Sequence, residues 1–379
     1  MKQIILTVGK AGLAAVYAVL KLFPTHPRKV VFLSRQTSGM PLDFALLQDQ
    51  LRKDCPDVEM VSICHRIKED STADKLRFCG NMLRSMYHLA TSQAAILDTY
   101  WPAVSLLNHK KDLTVIQIWH AIGKIKQSGY QTLGRSGGRS EQQARALHMH
   151  EGYDYIIAGA PVWNPFYCAS FGCTEDKLVN IGLPRMDYLV HDREEKRERI
   201  FAAYPQLRGR TVVLYAPTFR RNAEEASQKG YADLLSRVDT EKYAFVVKGH
   251  PNQAVMGEGF LRCAKFSAMD LLLVADYLIT DYSAITLEGA VAGVRTLFYQ
   301  YDYDDYMANN GLNLDVSRTM PSCAHRNAQE LLDALDSYVD GTAEYPEDER
   351  QEFARTYVLS DLGHATKDLA DLVIRNMRV

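Results

Sequence analysis

Two histidines each follow an apolar, strand-like run, which is where α/β proteins present reactive side chains. His120 follows the run 116–119, and His250 follows the run 246–249. An imidazole has an unperturbed pKa close to neutrality, so it suits the removal of a proton from a hydroxyl group. A structural role is the alternative for a single histidine, but two at equivalent positions favour catalysis. We therefore predict that both are catalytic residues.

The segment Thr280-Asp-Tyr-Ser283 joins a strand end to the start of a helical pattern. The free N–H groups and the positive dipole at a helix N-terminus bind phosphate. Asp281 or Ser283 is also expected to cap this helix, which is compatible with phosphate binding. Glu288 lies farther along the helix, where it can reach a ribose hydroxyl. The segment therefore predicts a site for a phosphate and a ribose.

Two other strand ends carry cationic groups. Pro217 ends a strand-like run and is followed by Thr218 and Arg220. The guanidinium fork of an arginine matches the geometry of phosphate. Lys248 lies just before His250 and adds a positive charge there. A plain surface loop or turn is the alternative for each segment taken alone.

Several well-known site motifs are absent from the sequence. There is no Walker loop, and no GxGxxG follows a strand, which weakens a dehydrogenase interpretation. Neither HExxH nor a paired CxxC supports a metal site, so no metal ligands are predicted. The acidic segment 301–306 contains three tyrosines, and we interpret it as a packed loop rather than a metal site.

Composition narrows the class of protein. The chain has 379 residues, enough for two domains, with 47% hydrophobic and 24% charged residues. A net charge of −2 gives no basic field that would favour nucleic acid. The seven scattered cysteines are expected to be reduced thiols of a cytosolic protein. The apolar run Ala11–Leu20 is too short to span a membrane, which needs ~20 residues. With no cleavage site after it, we expect the N-terminus to be retained.

Strand and helix patterns alternate along the chain, which predicts doubly wound parallel sheets. The predicted strands are Val30–Leu33, Val58–Ile63, Ala94–Leu97, Leu113–Trp119, Tyr155–Ala158, Leu178–Ile181, Thr211–Tyr215, Tyr243–Lys248, Tyr277–Thr280 and Arg295–Phe298. The helical patterns between them include Pro41–Lys53, Ala73–Leu89, Arg193–Ala203 and Ser283–Ala292. Two domains are predicted, at 1–190 and 191–356, with the end of the chain at 357–379 packing back on the first. The segment Gly182-Leu-Pro-Arg185 lies at the junction and is either a hinge or a ligand contact.

Taken together, these segments resemble the CDP-glycerol glycerophosphotransferase family, which contains the teichoic acid primases and polymerases of Gram-positive bacteria. The motifs that carry the resemblance are Ile96-Leu-Asp-Thr-Tyr-Trp101, Gln117-Ile-Trp-His-Ala-Ile-Gly-Lys-Ile-Lys126, Gly182-Leu-Pro-Arg185, Tyr215-Ala-Pro-Thr-Phe-Arg220, Lys248-Gly-His-Pro251 and Thr280-Asp-Tyr-Ser283. Each is weak alone, but their order and spacing are specific. The resemblance covers nearly the whole chain and implies a GT-B fold, an α/β architecture of two Rossmann-like domains facing a cleft.

The resemblance also implies an activity and residue roles. An acceptor hydroxyl would attack the β-phosphate of CDP-glycerol, with CMP leaving. No cofactor is required, and assistance by Mg²⁺ is left open. His120 would be the acceptor-side base, and His250 would contact the diphosphate. The implied CDP-glycerol contacts are Pro217, Thr218, Arg220, Lys248, Thr280, Asp281, Ser283 and Glu288. The implied acceptor-binding residues are Trp119, Gly123, Lys126 and Asp98. Ala284 stands where family members often have a second serine, so one phosphate contact is lost or the donor is CDP-ribitol.

The implied acceptor is a glycan linked to undecaprenyl lipid, which would place the enzyme on the cytoplasmic face of the membrane. An apolar helical stripe of Leu13, Val16, Tyr17 and Leu20, flanked by cations, suits peripheral attachment to an anionic surface. The basic loop Arg135–Arg139 is expected to assist. A helix docked in the core and an ordinary mobile loop are the alternatives. No nucleic-acid partner is expected, and homo-oligomerisation is left open.

Three other functions remain open at this stage. A CDP-ribitol-using homologue would share all the motifs. A GT-B sugar transferase or a UDP-sugar 2-epimerase would share the architecture, but it would not require Thr280-Asp-Tyr-Ser283 beside Trp119-His120. A non-catalytic homologue that binds nucleotide and docks on a membrane is suggested only by Ala284. Both histidines are present, which argues against that last function.

Overall fold

The computed structural model describes residues 2–67, 71–135, 138–218, 224–249 and 259–377. Of residues 2–8 and 224–228 it describes the backbone only. The chain forms two compact units. The first unit contains residues 1–121, 128–187 and 361–379, and the second contains residues 122–127 and 188–360. The predicted site residues Arg220 and His250 lie outside the described residues.

The first unit is built on a parallel sheet of six described strands. Its strands are β1 (Lys29–Ser34), β2 (Glu59–Cys64), β3 (Ala94–Leu97), β4 (Thr114–Gln117), β5 (Tyr155–Ala158) and β6 (Leu178–Asn180). Its helices are α1 (Lys2–Leu20), α2 (Leu42–Asp54), α3 (Thr72–Thr91), α4 (Pro102–Leu106), α5 (Glu141–Ala146), α6 (Asn164–Phe171) and α7 (Pro184–Val190). The last residues of α7 belong to the second unit. The first unit also includes a helix near the end of the chain, Ala365–Asn376. Every residue of β1 and β3 is buried, as expected for parallel strands covered on both faces.

The second unit has a parallel sheet of five described strands. Its strands are β7 (Thr211–Tyr215), β8 (Tyr243–Val247), β9 (Tyr277–Thr280), β10 (Arg295–Tyr299) and β11 (Ala324–His325). Its helices are α8 (Arg193–Ala203), α9 (Glu224–Arg237), α10 (Ala268–Leu271), α11 (Ile285–Ala292), α12 (Tyr303–Asn309), α13 (Val316–Thr319), α14 (Ala328–Val339) and α15 (Glu347–Tyr357). The helix at Ala365–Asn376 is therefore α16.

The two sheets repeat one topology. Strands lie in the order β2-β1-β3-β4-β5-β6 in the first unit and β11-β10-β9-β7-β8 in the second. In each, the second strand lies on one side of the first, and the third strand lies on the other. The order in which strands are added therefore switches from one side of the first strand to the other. This switch leaves a crevice outside the carboxyl ends of β1 and β3 in the first sheet, and of β7 and β9 in the second. Ligand sites in doubly wound sheets occupy such crevices.

All ten predicted strands are confirmed, with ends shifted by a few residues. β11 was missed, because two residues carry no hydrophobic pattern. The predicted cap of α11 is confirmed only in part. The helix begins at Ile285, and its N-cap is Ala284, which makes no side-chain bond, but the hydroxyl of Ser283 accepts from the backbone N–H of Ile285 at 3.5 Å. The acidic segment 301–306 leads into α12 rather than a loop.

The end of the chain packs on the first unit. Helix α16 packs against α2. The buried carboxylate of Asp187 accepts hydrogen bonds from the backbone N–H groups of Ala365 (3.1 Å) and Thr366 (2.7 Å). These are donors that the start of a helix leaves unsatisfied, so Asp187 caps α16 from a distant part of the sequence.

The predicted apolar stripe on α1 is only partly exposed. Tyr17 is buried, and its hydroxyl lies 2.7 Å from Nδ1 of His109, so that position belongs to the core. Leu13 and Leu20 are half-buried, and Val16 is exposed. The exposed apolar face is instead turned toward Val16, Val19 and Leu22. No helix in the described residues is both long enough and apolar enough to cross a membrane.

Candidate active site

His120 lies just beyond the carboxyl end of β4, after a residue in an unusual backbone conformation. Trp119 has φ +61°, a left-handed conformation that is uncommon for a residue with a bulky side chain. Such strain persists where the surroundings hold it, and it is concentrated at functional sites. The indole of Trp119 packs on the imidazole of His120, with ring centroids 3.9 Å apart. The ring of His120 is thus oriented by its own chain neighbour.

The hydrogen bonds of His120 identify which ring nitrogen can act as a base. Nδ1 lies 2.9 Å from the backbone oxygen of Asp98 and 3.0 Å from Nε2 of Gln36. A carbonyl oxygen can only accept, so we assign the Nδ1 proton to the hydrogen bond with Asp98, and we assign the Gln36 amide the orientation that turns its oxygen to the ring. In the neutral imidazole the lone pair is then on Nε2. This arrangement prepares Nε2 to take a proton from a substrate.

Asp98 directly follows β3 and is only 3% exposed. Its carboxylate accepts hydrogen bonds from the hydroxyls of Ser34 (2.6 Å) and Thr99 (3.0 Å). Burial nevertheless raises the pKa of Asp98 to about 6, because loss of water disfavours the charged form more than these bonds favour it. The side chain therefore supports the strand ends, while its backbone oxygen orients His120.

A cavity of about 330 Å³ opens beside His120 within the first unit. Its lining includes Arg35 and Gln36 after β1, and Arg139 from the predicted basic loop. His150, also in the lining, is buried and has φ +62°. The cavity lies where the topology of the first sheet predicts a ligand.

In the second unit, the segments after β7 and β9 are joined by one carboxylate. Asp281 is 1% exposed, and its two oxygens lie 2.9 and 3.0 Å from the backbone nitrogen of Thr218, which donates to them. The hydroxyl of Thr280 donates to the backbone oxygen of Ala216 at 2.7 Å. These bonds hold the two strand ends together, so Pro217, Thr218 and Asp281 lie side by side.

Other predicted donor-side residues have mixed surroundings. Glu288 is buried on α11, and Ser283 is half-buried just before it. The ammonium group of Lys248 donates to the backbone oxygen of Cys263 at 3.1 Å, and burial lowers its pKa. The roles of these residues in binding CDP-glycerol stay predictions.

Lys126 belongs to the second unit, whereas the sequence grouped it with the acceptor-binding residues. Its ammonium group donates to the hydroxyl of Thr218 at 3.0 Å, and its backbone bridges to Leu312. Gly123 lies in the same six-residue segment and is buried. The structure therefore places Lys126 with a predicted donor-binding residue. Trp119 and Asp98 remain together beside His120.

Sequence reasoning missed four residues of the cavity as site residues: Arg35, Gln36, Arg139 and His150. Arg35 and Gln36 follow β1 directly, so the rule that strand ends carry ligands could have found them. Arg139 was noticed only as part of a loop for membrane binding. His150 follows no strand, and no sequence signal marked it.

Arg185 of the junction segment has a structural partner. Its guanidinium and its backbone N–H donate to the buried carboxylate of Asp43 on α2, with Nε and the backbone nitrogen each 2.9 Å from an oxygen. A two-point contact of this kind fixes orientation as well as charge. The junction segment was interpreted either as a hinge or as a ligand contact. The contact with Asp43 gives Arg185 a structural role and does not support a ligand contact by this residue.

Comparison with known proteins now identifies the family. The sequence matches the family described as CDP-glycerol:poly(glycerophosphate) glycerophosphotransferase over residues 15–375. The chain belongs to this family. Its curated relatives include the teichoic acid ribitol-phosphate primase of Bacillus spizizenii strain W23, 26% identical over 98% of each chain. They also include the teichoic acid glycerol-phosphate primase of Bacillus subtilis strain 168, 26% identical over 67% of this chain and 68% of the relative.

Solved structures agree on the fold of this glycerophosphotransferase family member. The wall teichoic acid polymerase TagF superposes with a TM-score of 0.76 at 18% identity, covering 99% of this chain and 97% of that one. A UDP-GlcNAc 2-epimerase from Neisseria meningitidis gives a TM-score of 0.59 at 12% identity, over 92% of this chain and 100% of the other. At these identities the likeness shows the fold alone, and it confirms the predicted GT-B type of α/β fold. Family membership makes the chain a phosphotransferase of the teichoic acid type.

Among the described residues, no three His, Cys, Asp or Glu side chains are grouped as metal ligands would be. Whether the reaction needs a metal ion is not decided by this observation, so the metal-free reaction stays a prediction.

Proposed function

We propose that the protein transfers glycerol phosphate from CDP-glycerol to a hydroxyl group of a lipid-linked acceptor in the synthesis of teichoic acid or a related cell-surface polymer, releasing CMP. The observation that carries this proposal is the hydrogen-bonded His120 at the crevice of the first sheet. Its Nδ1 is held by the backbone oxygen of Asp98, so Nε2 is the basic atom.

The proposed reaction is an in-line displacement. The acceptor oxygen attacks the β-phosphorus of CDP-glycerol, and the bond from that phosphorus to the bridging oxygen breaks. Nε2 of His120 takes the proton of the hydroxyl, and CMP leaves with the bridging electrons. Phosphoryl transfer depends mainly on positioning and on neutralising charge, so no cofactor is included in the proposal.

The donor would bind in the second unit. The strand ends joined by Asp281 form the crevice of that sheet, and Thr218 and Lys126 bring a hydroxyl and a cation to it. A cation and hydrogen-bond donors suit the diphosphate of a CDP-alcohol. His250 and Arg220, predicted to contact the same group, complete the proposed donor site.

CDP-ribitol is the second candidate donor. It is favoured by the ribitol-phosphate primase that matches over 98% of both chains, whereas the glycerol-phosphate primase of Bacillus subtilis matches over 67% of this chain. Ala284 at the N-cap of α11 also leaves one hydroxyl fewer at this helix start than a serine would. Both donors would use the same base and release the same nucleotide.

The decisive experiment is to incubate the purified protein and a lipid-linked acceptor with CDP-glycerol, CDP-ribitol or UDP-GlcNAc. We expect CMP from a CDP-alcohol and no UDP. The preferred donor identifies the alcohol. Release of UDP, or no release of CMP from either CDP-alcohol, would contradict the proposed function.

We also propose that the protein attaches peripherally to an anionic membrane, where such an acceptor is available. Helix α1 packs against α3, and both expose large apolar side chains. These are Val16 and Val19 on α1 and Leu76 and Leu83 on α3, and the turn after α1 adds Leu22 and Phe23. The described part of α1 carries no acidic residue, and α3 exposes Lys75, Arg77 and Arg84. Apolar side chains among cations are typical of helices that lie in a membrane interface.

A further inference from the structure

Two guanidinium groups share the cavity beside His120. Arg35 and Arg139 both line it, and both approach Tyr100. Nη1 of Arg35 donates to the backbone oxygen of Tyr100 at 3.4 Å, and Cζ of Arg139 lies 5.5 Å from the centre of the Tyr100 ring. Gln36 follows Arg35 in the chain and contacts His120. The two guanidinium groups therefore lie in the same cavity as the proposed base, His120.

The positive charge in this cavity is not balanced. Of the described residues that line it, none is acidic, and neither guanidinium forms an ion pair within the described part of the chain. Nε of Arg35 is buried and has no hydrogen-bond partner there. Burial lowers the pKa of Arg35, and the neighbouring charge of Arg139 lowers it further. Two like charges beside one cavity repel each other, and an anion bound between them would relieve that repulsion.

The described residues next to Arg139 are closely packed. The backbone N–H of Gly134 donates to the backbone oxygen of Arg139 at 3.0 Å. A Cβ atom at Gly138 would lie 1.8 Å from the backbone oxygen of Thr132, so this position accepts only glycine without a shift. The close packing brings the backbone of residue 139 to the cavity wall. Arg139 therefore lies in a closely packed part of the cavity wall.

We propose that Arg35 and Arg139 bind a phosphate group of the acceptor, and that the hydroxyl next to that phosphate reaches His120. The proposal rests on the function proposed above. A cavity of about 330 Å³ has room for a short polyol phosphate, and two guanidinium groups match phosphate oxygens. The acceptor would then be a chain that already ends in a polyol phosphate, in preference to one that ends in an uncharged sugar.

The test measures binding of small probes to the full-length protein by titration calorimetry or ligand-observed NMR. The probes are glycerol 3-phosphate, glycerol and inorganic phosphate. The variants are Arg35→Gln and Arg139→Gln, with Arg52→Gln as a matched control, because Arg52 is an exposed arginine of the same unit. We expect glycerol 3-phosphate to bind the wild type and the control equally. Each cavity variant should raise its Kd by about tenfold or more, the scale of a charge-assisted hydrogen bond.

Three results would overturn the proposal. Glycerol 3-phosphate could bind both cavity variants as tightly as it binds the wild type. Glycerol could bind the wild type as tightly as glycerol 3-phosphate does, which would exclude a phosphate contact. Inorganic phosphate could bind as tightly as glycerol 3-phosphate, which would exclude recognition of the polyol. The last two comparisons use the wild type, so they hold even if a variant fails to fold.

Failure of this proposal and failure of the proposed function give different results. If no CDP-alcohol yields CMP, but glycerol 3-phosphate binding still depends on both arginines, the function is wrong and the anion site remains. If CMP forms and both variants keep the wild-type KM for a polyol-phosphate acceptor, the function remains and the arginine site is wrong.

Discussion

At the scale of single residues, one proton position decides what His120 can do. The backbone oxygen of Asp98 neither loses nor gains a proton near neutral pH, so it accepts the hydrogen bond from Nδ1 of His120 over that whole range. The neutral imidazole is therefore kept in the tautomer with a basic Nε2. The buried carboxylate of Asp98 has a separate role, since it accepts hydrogen bonds from Ser34 and Thr99 at the ends of the central strands.

Replacing His120 by alanine is expected to lower kcat for transfer by on the order of 10²-fold or more, the contribution of a general base. Binding of CDP-glycerol should stay close to that of the wild type, because His120 lies in the first unit and the proposed donor site is in the second. Steady-state kinetics and nucleotide titration measure the two effects. His364→Ala is the control, since His364 is an exposed histidine. Wild-type turnover in the His120 variant would show that it is not the base.

The raised pKa of Asp98 predicts a pH dependence of stability. The folded protein holds this proton up to about pH 6, whereas the unfolded chain releases it near 3.8. Between these values the native state binds more protons, so the free energy of unfolding falls as pH rises. The loss is on the order of 2–3 kcal/mol across the interval. Asn does not titrate, so Asp98→Asn should lack this fall.

Urea unfolding of the wild type and the Asp98→Asn variant at several pH values between 4 and 7 checks this prediction. The stability of the variant relative to the wild type should increase with pH over that range. Asp57→Asn is the matched control, because Asp57 is an exposed carboxylate paired with Arg28. Parallel pH profiles for the wild type and the Asp98 variant would contradict the assigned pKa.

At the scale of elements, buried strands were predictable, and short or loop-borne features were not. β1 and β3 are buried along their whole length, so continuous apolar runs revealed them. The role of Asp281 was not predictable from capping preferences, because its carboxylate accepts from the backbone N–H of Thr218 instead of capping α11. That contact joins segments far apart in the sequence. The same limit applies to the cavity beside His120, which the sequence indicated only through His120 and its strand.

Helix α1 supports a prediction about membranes. Val19 is 60% exposed and Leu22 is 83% exposed, so a double change to glutamate should leave the fold intact. Each substitution removes an apolar side chain worth about 1.5–3 kcal/mol when buried and adds a charge that an anionic surface repels. We expect co-sedimentation with phosphatidylglycerol vesicles to fall at least about tenfold in the double variant.

The control for this experiment is Val162→Glu, an exposed valine of the first unit that is not on α1 or α3. It should pellet like the wild type. Binding of the wild type to anionic vesicles should decrease as the salt concentration rises, because salt screens the attraction between the cationic side chains and the lipid. Equal pelleting of all three proteins with anionic vesicles would exclude α1 as the attachment surface.

At the scale of the whole molecule, neither unit is one continuous stretch of sequence. The segment Ile122–Gln127 follows the turn of His120 directly but belongs to the second unit. Within that unit, the side chain of Asn313 donates to the backbone oxygen of Lys124 at 2.9 Å. The same segment brings Lys126 to Thr218. A few residues therefore connect, through the chain itself, the proposed base with the proposed donor site.

Lys126 was expected to bind the acceptor, but the structure places it beside Thr218, a predicted donor-binding residue. If it serves the donor site, Lys126→Met should raise KM for the CDP-alcohol by about tenfold, the scale of one charge-assisted contact, and leave KM for the acceptor unchanged. Lys229→Met is the control, because Lys229 is an exposed lysine of the same unit. Initial rates measured while each substrate is varied separately decide the question. An effect on the acceptor alone would restore the original grouping.

The capping of α16 by Asp187 has a consequence for how the protein is made on the ribosome. Domains of a nascent chain usually fold in the order of their synthesis. Here the residues of the second unit, through position 360, all emerge before α16 does. Until then the face of α2 that α16 covers is exposed, and the carboxylate of Asp187 lacks its two backbone donors. The unit that begins first is therefore completed last, and during translation its partly covered core is the part of the chain most in need of a chaperone.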